Sequence, residues 1–156
     1  MIKVLFVCLG NICRSPMAEA MFRHAVEIAG LAEHITTDSA ATGSYNTGKP
    51  PHEGTRQILA QHGISHAGIT SRTILAEELQ TCDYVVCMDD SNVADTRAFG
   101  PVASHVWLGK LSQFVPDTDW SNVPDPYFTG NFDETYALVS AGCEGLLAHI
   151  RAKHGL

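Results

Sequence analysis

No apolar run in the chain approaches the roughly 20 residues needed to span a bilayer. The opening stretch Met1 to Leu9 is apolar, but it is short, interrupted by Lys3, and followed by no small-residue cleavage site, so no secretory leader is expected. Positive charge is scarce as well. Ten Lys and Arg face 17 Asp and Glu, for a net charge of −7, which argues against nucleic acid or an anionic membrane as a partner. Metal-ligand spacing is missing among the 8 histidines: His62 and His66 are four apart, but Gly63 breaks the helix that would align them. No metal and no cofactor is expected. The 5 cysteines are an odd number and do not suit a paired disulfide framework. Free thiols in a reducing cytoplasm are the economical reading.

What the chain does contain is an alternation of strand-like and helix-like segments. Its 156 residues fit one domain, 1–156, large enough to bury a core. Strands are expected at Ile2 to Val7, Ile35 to Ala41, Tyr84 to Met88 and Val102 to Leu108. Helices are expected from Pro16 to Ala29, from Pro50-Pro51 to His62, near Leu75 to Leu79, from Asp90 or Ser91 to Phe99, and from Phe132 to His154. Phe114 to Gly130 holds three prolines and reads as a long loop. The fold class is therefore α/β: a single domain with a four-stranded parallel sheet and helices on both faces, Rossmann-like. Such sheets gather ligands beyond the carboxyl ends of their strands. Cys8, Ser39 to Thr42 and Asp89 all fall on that edge.

The chemistry concentrates at the end of the first strand. Cys8 closes the run Ile2-Lys3-Val4-Leu5-Phe6-Val7, and Arg14 follows six positions later, just before Ser15-Pro16. Ser15 suits an N-cap and Pro16 a first helical residue, so the loop Cys8-Leu9-Gly10-Asn11-Ile12-Cys13-Arg14 should run into a helix N-terminus. Backbone N–H groups of such a loop converge on an anion, and the helix dipole adds partial positive charge. A thiol placed there is favoured as thiolate. Arg14 supplies a planar fork of donors matched to two phosphate oxygens. At the same offset the other four cysteines meet Glu19, Met88, Val93 and His149, so the pairing has one candidate.

Cys8-Leu9-Gly10-Asn11-Ile12-Cys13-Arg14-Ser15-Pro16, with Asp125-Pro126-Tyr127 far downstream, resembles the low-molecular-weight protein tyrosine phosphatases. Asp38-Ser39-Ala40-Ala41-Thr42, Pro50-Pro51, His62-Gly63-Ile64 and Cys87-Met88-Asp89 are similar to that family's pattern too. The resemblance implies a phosphotyrosine phosphatase I type of fold and hydrolysis of phosphotyrosine and aryl phosphates through a cysteinyl-phosphate. Cys8 is then the nucleophile, Arg14 and the loop amides the phosphate ligands, and Asp125 the general acid. Leu9, Gly10, Asn11, Ile12, Cys13 and Ser15 belong to the phosphate loop. Gly10 permits a tight turn, and Asn11 tolerates left-handed dihedrals. The family likeness also implies that Asn11 bonds Ser39, that Ser15 steadies the Cys8 thiolate, that Tyr127 flanks the acid, and that Tyr45 tunes substrate choice from a variable loop. Phe128 is a further candidate wall. The implied partner is a phosphotyrosine-bearing protein, such as a bacterial tyrosine kinase or its targets, met by a monomer or weak dimer.

Some residues keep two readings. Cys13 either closes a reversible disulfide with Cys8 or packs the helix as a small apolar residue. An isolated Asp-Pro is a turn signal; beside the Cys8 loop and Tyr127, Asp125 reads as the acid. Asp89 either organises the loop or caps the helix after it. His66 is out of register with the family's supporting histidine and stays outside the site. Three rivals remain. Arsenate reductases resemble this fold but need two relay cysteines; Cys87 stands at the first position and Ala94 near the second. Protein-arginine phosphatases resemble it but carry Thr where this chain has Ile12. An inactive phosphate-binding adaptor would miss the nucleophile, the arginine or the acid.

Overall fold

The computed structural model describes all residues, Met1–Leu156. Four parallel strands form one sheet in the order β2-β1-β3-β4: β1 is Ile2–Cys8, β2 Ile35–Ala41, β3 Tyr84–Cys87 and β4 Trp107–Lys110. Six helices surround it: α1 Arg14–Ile28, α2 Glu53–Gln61, α3 Glu78–Thr81, α4 Asp90–Arg97, α5 Pro126–Thr129 and α6 Phe132–His154. Strand periodicity splits the core in two. Val4, Phe6 and Cys8 of β1, with Tyr84 and Val86 of β3, face a cluster of 25 buried residues shared with α1, α2 and α6. Leu5, Val7, Val85 and Cys87 face a cluster of 9 on the side of α3. Helices thus cover both faces, as the near-continuous apolar strands require.

The long helix α6 keeps two interior glycines because a short 3-10 turn, Leu111–Phe114, rests on it. A Cβ at Gly142 would overlap Leu111, and one at Gly145 would overlap the Phe114 carbonyl. Close approach here outweighs the helix cost of glycine, about 1 kcal/mol per residue.

Several boundaries move from their sequence-based positions. Helix α1 starts at Arg14 with Cys13 as N-cap, and no side chain caps it. Ser15 is not the cap because its hydroxyl is committed to Cys8 and Asn11. Pro16 is tolerated at the third helical position, since its missing N–H is one of the donors a first turn leaves free. Helix α2 begins after the two prolines, at Glu53, with the His52 ring accepting the Gly54 N–H at 3.0 Å. Helix α4 takes Asp89 as N-cap, not Asp90 or Ser91, in a reciprocal box with Asn92. Strand β4 is later and shorter than Val102 to Leu108, because Ala103 N–H bonds Leu79 and Val106 N–H turns back to Ala103, outside the ladder. Within the expected loop from Phe114 to Gly130, Asp125 caps the short helix α5, with Pro126 at its first position.

Strand β1 is central: the chain passes from it to β2 on one side and then crosses back to β3 on the other. Its carboxyl end, where Cys8 lies, is the switch point at which an α/β sheet opens a crevice.

Candidate active site

The loop from Cys8 to Arg14 wraps the sulfur. The Asn11 N–H donates to Cys8 Sγ at 3.3 Å, and Ser15 Oγ lies 3.0 Å from the same atom. A thiolate has no proton to give, so Ser15 is then the donor. Asn11 holds the αL backbone that the loop demands, with φ 54°. Its side chain secures that conformation: Nδ2 donates to Ser15 Oγ at 2.7 Å and to Ser39 Oγ at 2.9 Å, while Oδ1 accepts the Arg72 N–H at 3.1 Å. Ser39 in turn donates to Glu19 Oε1 at 2.6 Å. Glu19 is buried, and burial raises its pKa above the ordinary carboxyl value against the opposing pull of Ser39.

Arg14 is only 2% exposed. Its Nη1 donates to Asp89 Oδ2 at 2.6 Å and to the Val123 carbonyl at 3.0 Å, and Nη2 reaches Asp125 Oδ2 at 3.4 Å. Burial works against the charge, but Cys8, Asp89 and Asp125 outweigh it and hold the guanidinium above its usual pKa. Nε is buried and has no partner within the protein. An orphaned charged donor of this kind calls for an acceptor, and a phosphate oxygen suits it.

Above the sulfur is a cavity of about 140 Å³, with Cys8, Leu9, Gly10, Asn11, Ile12 and Cys13 as its floor. Tyr45, Asn46, Asp125, Tyr127 and Phe128 complete the wall. Tyr45, Tyr127 and Phe128 are largely exposed, and the last two rings meet edge to face at 5.2 Å. Such a rim suits an aromatic ring entering from solvent. Asp125 splits its carboxylate: Oδ1 caps α5 through the Tyr127 N–H at 3.1 Å, and Oδ2 faces Arg14.

The candidates picked out in the sequence thus converge on Cys8, but two of those expected at the phosphate do not line the cavity. Arg14 is buried among Asp89, Val123 and Asp125, and Ser15, expected in the phosphate loop, is fully buried behind the sulfur. It touches Cys8 instead. Asp89 serves both of its readings, with Oδ1 capping α4 and Oδ2 on Arg14. Cys13 lines the cavity as a free thiol, its pKa pushed up to about 12 by burial and then by Asp125 and Cys8. Glu19, Asn46, Ser71, Arg72 and Val123 were missed.

The model of the low molecular weight phosphotyrosine protein phosphatases matches residues 3–155. The chain is 46% identical over 156 residues to the low molecular weight protein-tyrosine-phosphatase YfkJ of Bacillus subtilis, covering 100% of both. The crystal structure of YfkJ superposes with a TM-score of 0.94 over 98% of this chain and 96% of that one. PtpA of Staphylococcus aureus is 44% identical over 150 residues, 96% of this chain and 94% of its own. A Drosophila arginine phosphatase shares the fold at TM-score 0.88 and 32% identity, over 96% of this chain and 98% of that one. With the match extending from the first strand to the last helix, the chain belongs to the low molecular weight phosphotyrosine protein phosphatase family.

Proposed function

We propose that this protein hydrolyses phosphotyrosine in proteins, with Cys8 as nucleophile and Asp125 as general acid. The Cys8 thiolate attacks phosphorus, an S–P bond forms, the tyrosyl O–P bond breaks, and the leaving oxygen takes the Asp125 proton. Water then gives a proton to the Asp125 carboxylate and its oxygen to phosphorus, and the S–P bond breaks to restore the thiolate. Loop amides and the Arg14 guanidinium hold charge on the equatorial oxygens throughout. The observation that carries the reading is the Cys8 sulfur facing two donors on the floor of a cavity that Asp125 also lines.

Two rivals lose ground on specific observations. Cys87, the first relay position of an arsenate reductase, is fully buried on the other face of the sheet from Cys8, bonded to Thr96 at 3.7 Å. Burial pushes its pKa up to about 12, so it is a poor thiolate to receive a disulfide. Ile12, where the arginine phosphatases carry Thr, and the rim of Tyr45 and Tyr127 offer an aryl phosphate apolar walls. The five free thiols suit a reducing cytoplasm. The partner we propose is a phosphotyrosine-bearing protein, a bacterial tyrosine kinase or one of its targets. No helix is long and apolar enough to cross a membrane.

The test is turnover of p-nitrophenyl phosphate and of phosphotyrosine, phosphoarginine and arsenate in the presence of a chelator. Cys8→Ser should lose turnover yet still bind phosphate or vanadate. Parent-rate turnover by Cys8→Ser would reject the mechanism, and thioredoxin-dependent reduction of arsenate would favour the reductase.

A further inference from the structure

The peptide between Gly10 and Asn11 is where the sulfur meets its backbone donor, and something must hold that plane. A trans peptide points its C=O and N–H in opposite directions. The Asn11 N–H faces Cys8 Sγ, so the Gly10 carbonyl faces away from it. Two side chains from distant parts of the chain seize that carbonyl. Ser71 donates its hydroxyl at 3.0 Å, and Asn46 donates Nδ2 at 3.3 Å. Gly10 permits the approach, because a Cβ there would stand 2.7 Å from Asn46 Nδ2.

We infer that Ser71, assisted by Asn46, is a positioning residue for the reaction: it fixes the Gly10–Asn11 peptide so that the amide hydrogen stays on the sulfur. Ser71 neither lines the cavity nor touches the reacting atoms; it acts through Asn11. Its own placement is firm. It is 4% exposed, its N–H donates to Lys49 O at 2.9 Å, and its carbonyl accepts Gly48 N–H at 2.8 Å. The next two residues fasten the same edge. Arg72 N–H holds Asn11 Oδ1, and Thr73 Oγ1 donates to the Gly43 carbonyl at 2.9 Å. The Arg72 guanidinium is locked outside by Glu78 and Asp38.

Without the Ser71 hydroxyl, the Gly10 carbonyl keeps one weaker donor. The plane can then rotate its carbonyl toward the thiolate, replacing attraction with repulsion between two lone-pair-rich atoms. A bond to the carbonyl also polarises the peptide and strengthens the N–H at its other end.

The experiment is the pH dependence of Cys8 alkylation by iodoacetamide in the full chain, with kcat and KM for p-nitrophenyl phosphate measured alongside. In Ser71→Ala the alkylation midpoint should move to higher pH, with labelling below it slowed about three- to tenfold, the equivalent of one neutral hydrogen bond. Ser71→Thr, which keeps the hydroxyl, should restore the parent profile. A parent-like midpoint in Ser71→Ala overturns the inference, even if that variant melts earlier. If Ser71→Ala does not fold, Asn46→Ala carries the same readout, and an unmoved midpoint there is equally fatal. The inference rests on Cys8 as nucleophile. A parent enzyme that turns over with Cys8 already alkylated refutes that reading, whereas an unshifted Ser71→Ala profile refutes this one alone.

Discussion

Asp89 grips the Arg14 guanidinium at 2.6 Å with one carboxylate oxygen while the other caps α4 through the Asn92 N–H at 2.8 Å. The two bonds make the end of β3 a bracket for Arg14, the residue we propose to meet phosphate. With Nη1 and Nη2 tied to protein acceptors, the fork is oriented before substrate arrives, and Nε and the second Nη2 hydrogen are the donors left over. Preorganised charge of this kind needs no rearrangement at the moment of reaction.

Two substitutions separate the roles of Asp89. Asn is as good an N-cap as Asp, so Asp89→Asn should keep α4 and lose the ionic hold on Arg14. We expect kcat/KM and vanadate affinity to fall about tenfold, near the loss of one charge-assisted hydrogen bond, with little change in melting temperature. Asp89→Ala should lose the same activity and a further ~1 kcal/mol of stability from the missing cap. Steady-state kinetics and thermal melts of the pair check this. Equal melting temperatures for the two variants would contradict the capping role.

The two thiols of the loop should differ sharply in reactivity. Cys13 is pushed up to about 12, so at neutral pH it is almost wholly protonated, while Cys8 Sγ is held by the Asn11 N–H and Ser15. Iodoacetamide should therefore label Cys8 and leave Cys13, Cys82, Cys87 and Cys143 untouched in the folded protein, and peptide mass mapping reads this directly. Mild peroxide should join Cys8 to Cys13, with Cys13→Ser active but quickly and irreversibly oxidised. Sulfinic acid on Cys8 beside a free Cys13 in the parent would end the disulfide reading.

The parts of this site that were legible in the sequence are those whose logic is local. A β-branched strand, a Cys, a glycine-containing loop and an Arg at a helix start are written within fifteen residues, Ile2 to Pro16, and Asp125-Pro126-Tyr127 is its own short signal. Family likeness, and no local rule, linked Asn11 to Ser39. What escaped came from chain crossings that leave no spacing to read: Ser71 and Arg72 on the phosphate loop, Val123 on Arg14, Glu19 behind Ser39. Local rules also misplaced the start of α1. Ser15-Pro16 satisfies the preferences of a helix cap, but a tertiary bond to sulfur took the hydroxyl, and the helix simply begins earlier. For β4, Val102, Ala103 and Val106 are consumed by turn and side-of-sheet packing before any ladder forms.

Buried Glu19 makes stability depend on pH in a direction opposite to most carboxylates. Burial raises its folded pKa above the ordinary 4.5, so the folded state holds its proton more tightly than the unfolded chain does. Its contribution is fully present below the unfolded value and is lost as pH rises through the folded one. Glu78 runs the other way. Although burial opposes it, bonds from Arg72 and the Leu75 N–H lower its pKa, so its contribution is present above the unfolded value and is lost on acidification. Glu19→Gln keeps an oxygen for the Ser39 hydroxyl and removes the titration. Thermal melts across the weakly acidic range should show the parent losing stability relative to Glu19→Gln as pH rises. A constant difference between the two would show that Glu19 has the same proton affinity folded and unfolded.

Asp125, the proposed acid, also shapes local structure, so its variants must be chosen with both in mind. Its Oδ1 caps α5, and its Oδ2 touches Arg14. Asp125→Asn preserves the cap and removes the proposed proton donor; Asp125→Ala removes both. With a phenolic leaving group, turnover in each should drop about a hundred- to ten-thousand-fold, the usual weight of a positioned acid. Phosphoenzyme should still form, slowly, because Cys8 and Arg14 are intact, and rapid quenching should trap it on Cys8. p-Nitrophenolate departs without protonation more readily than tyrosine's oxygen, so formation should suffer less with p-nitrophenyl phosphate than with phosphotyrosine. Hydrolysis of the intermediate should be slow with either, since both substrates leave the same cysteinyl-phosphate and the same missing base. An equal loss of formation rate on the two substrates would mean that Asp125 shapes the cavity without delivering the proton.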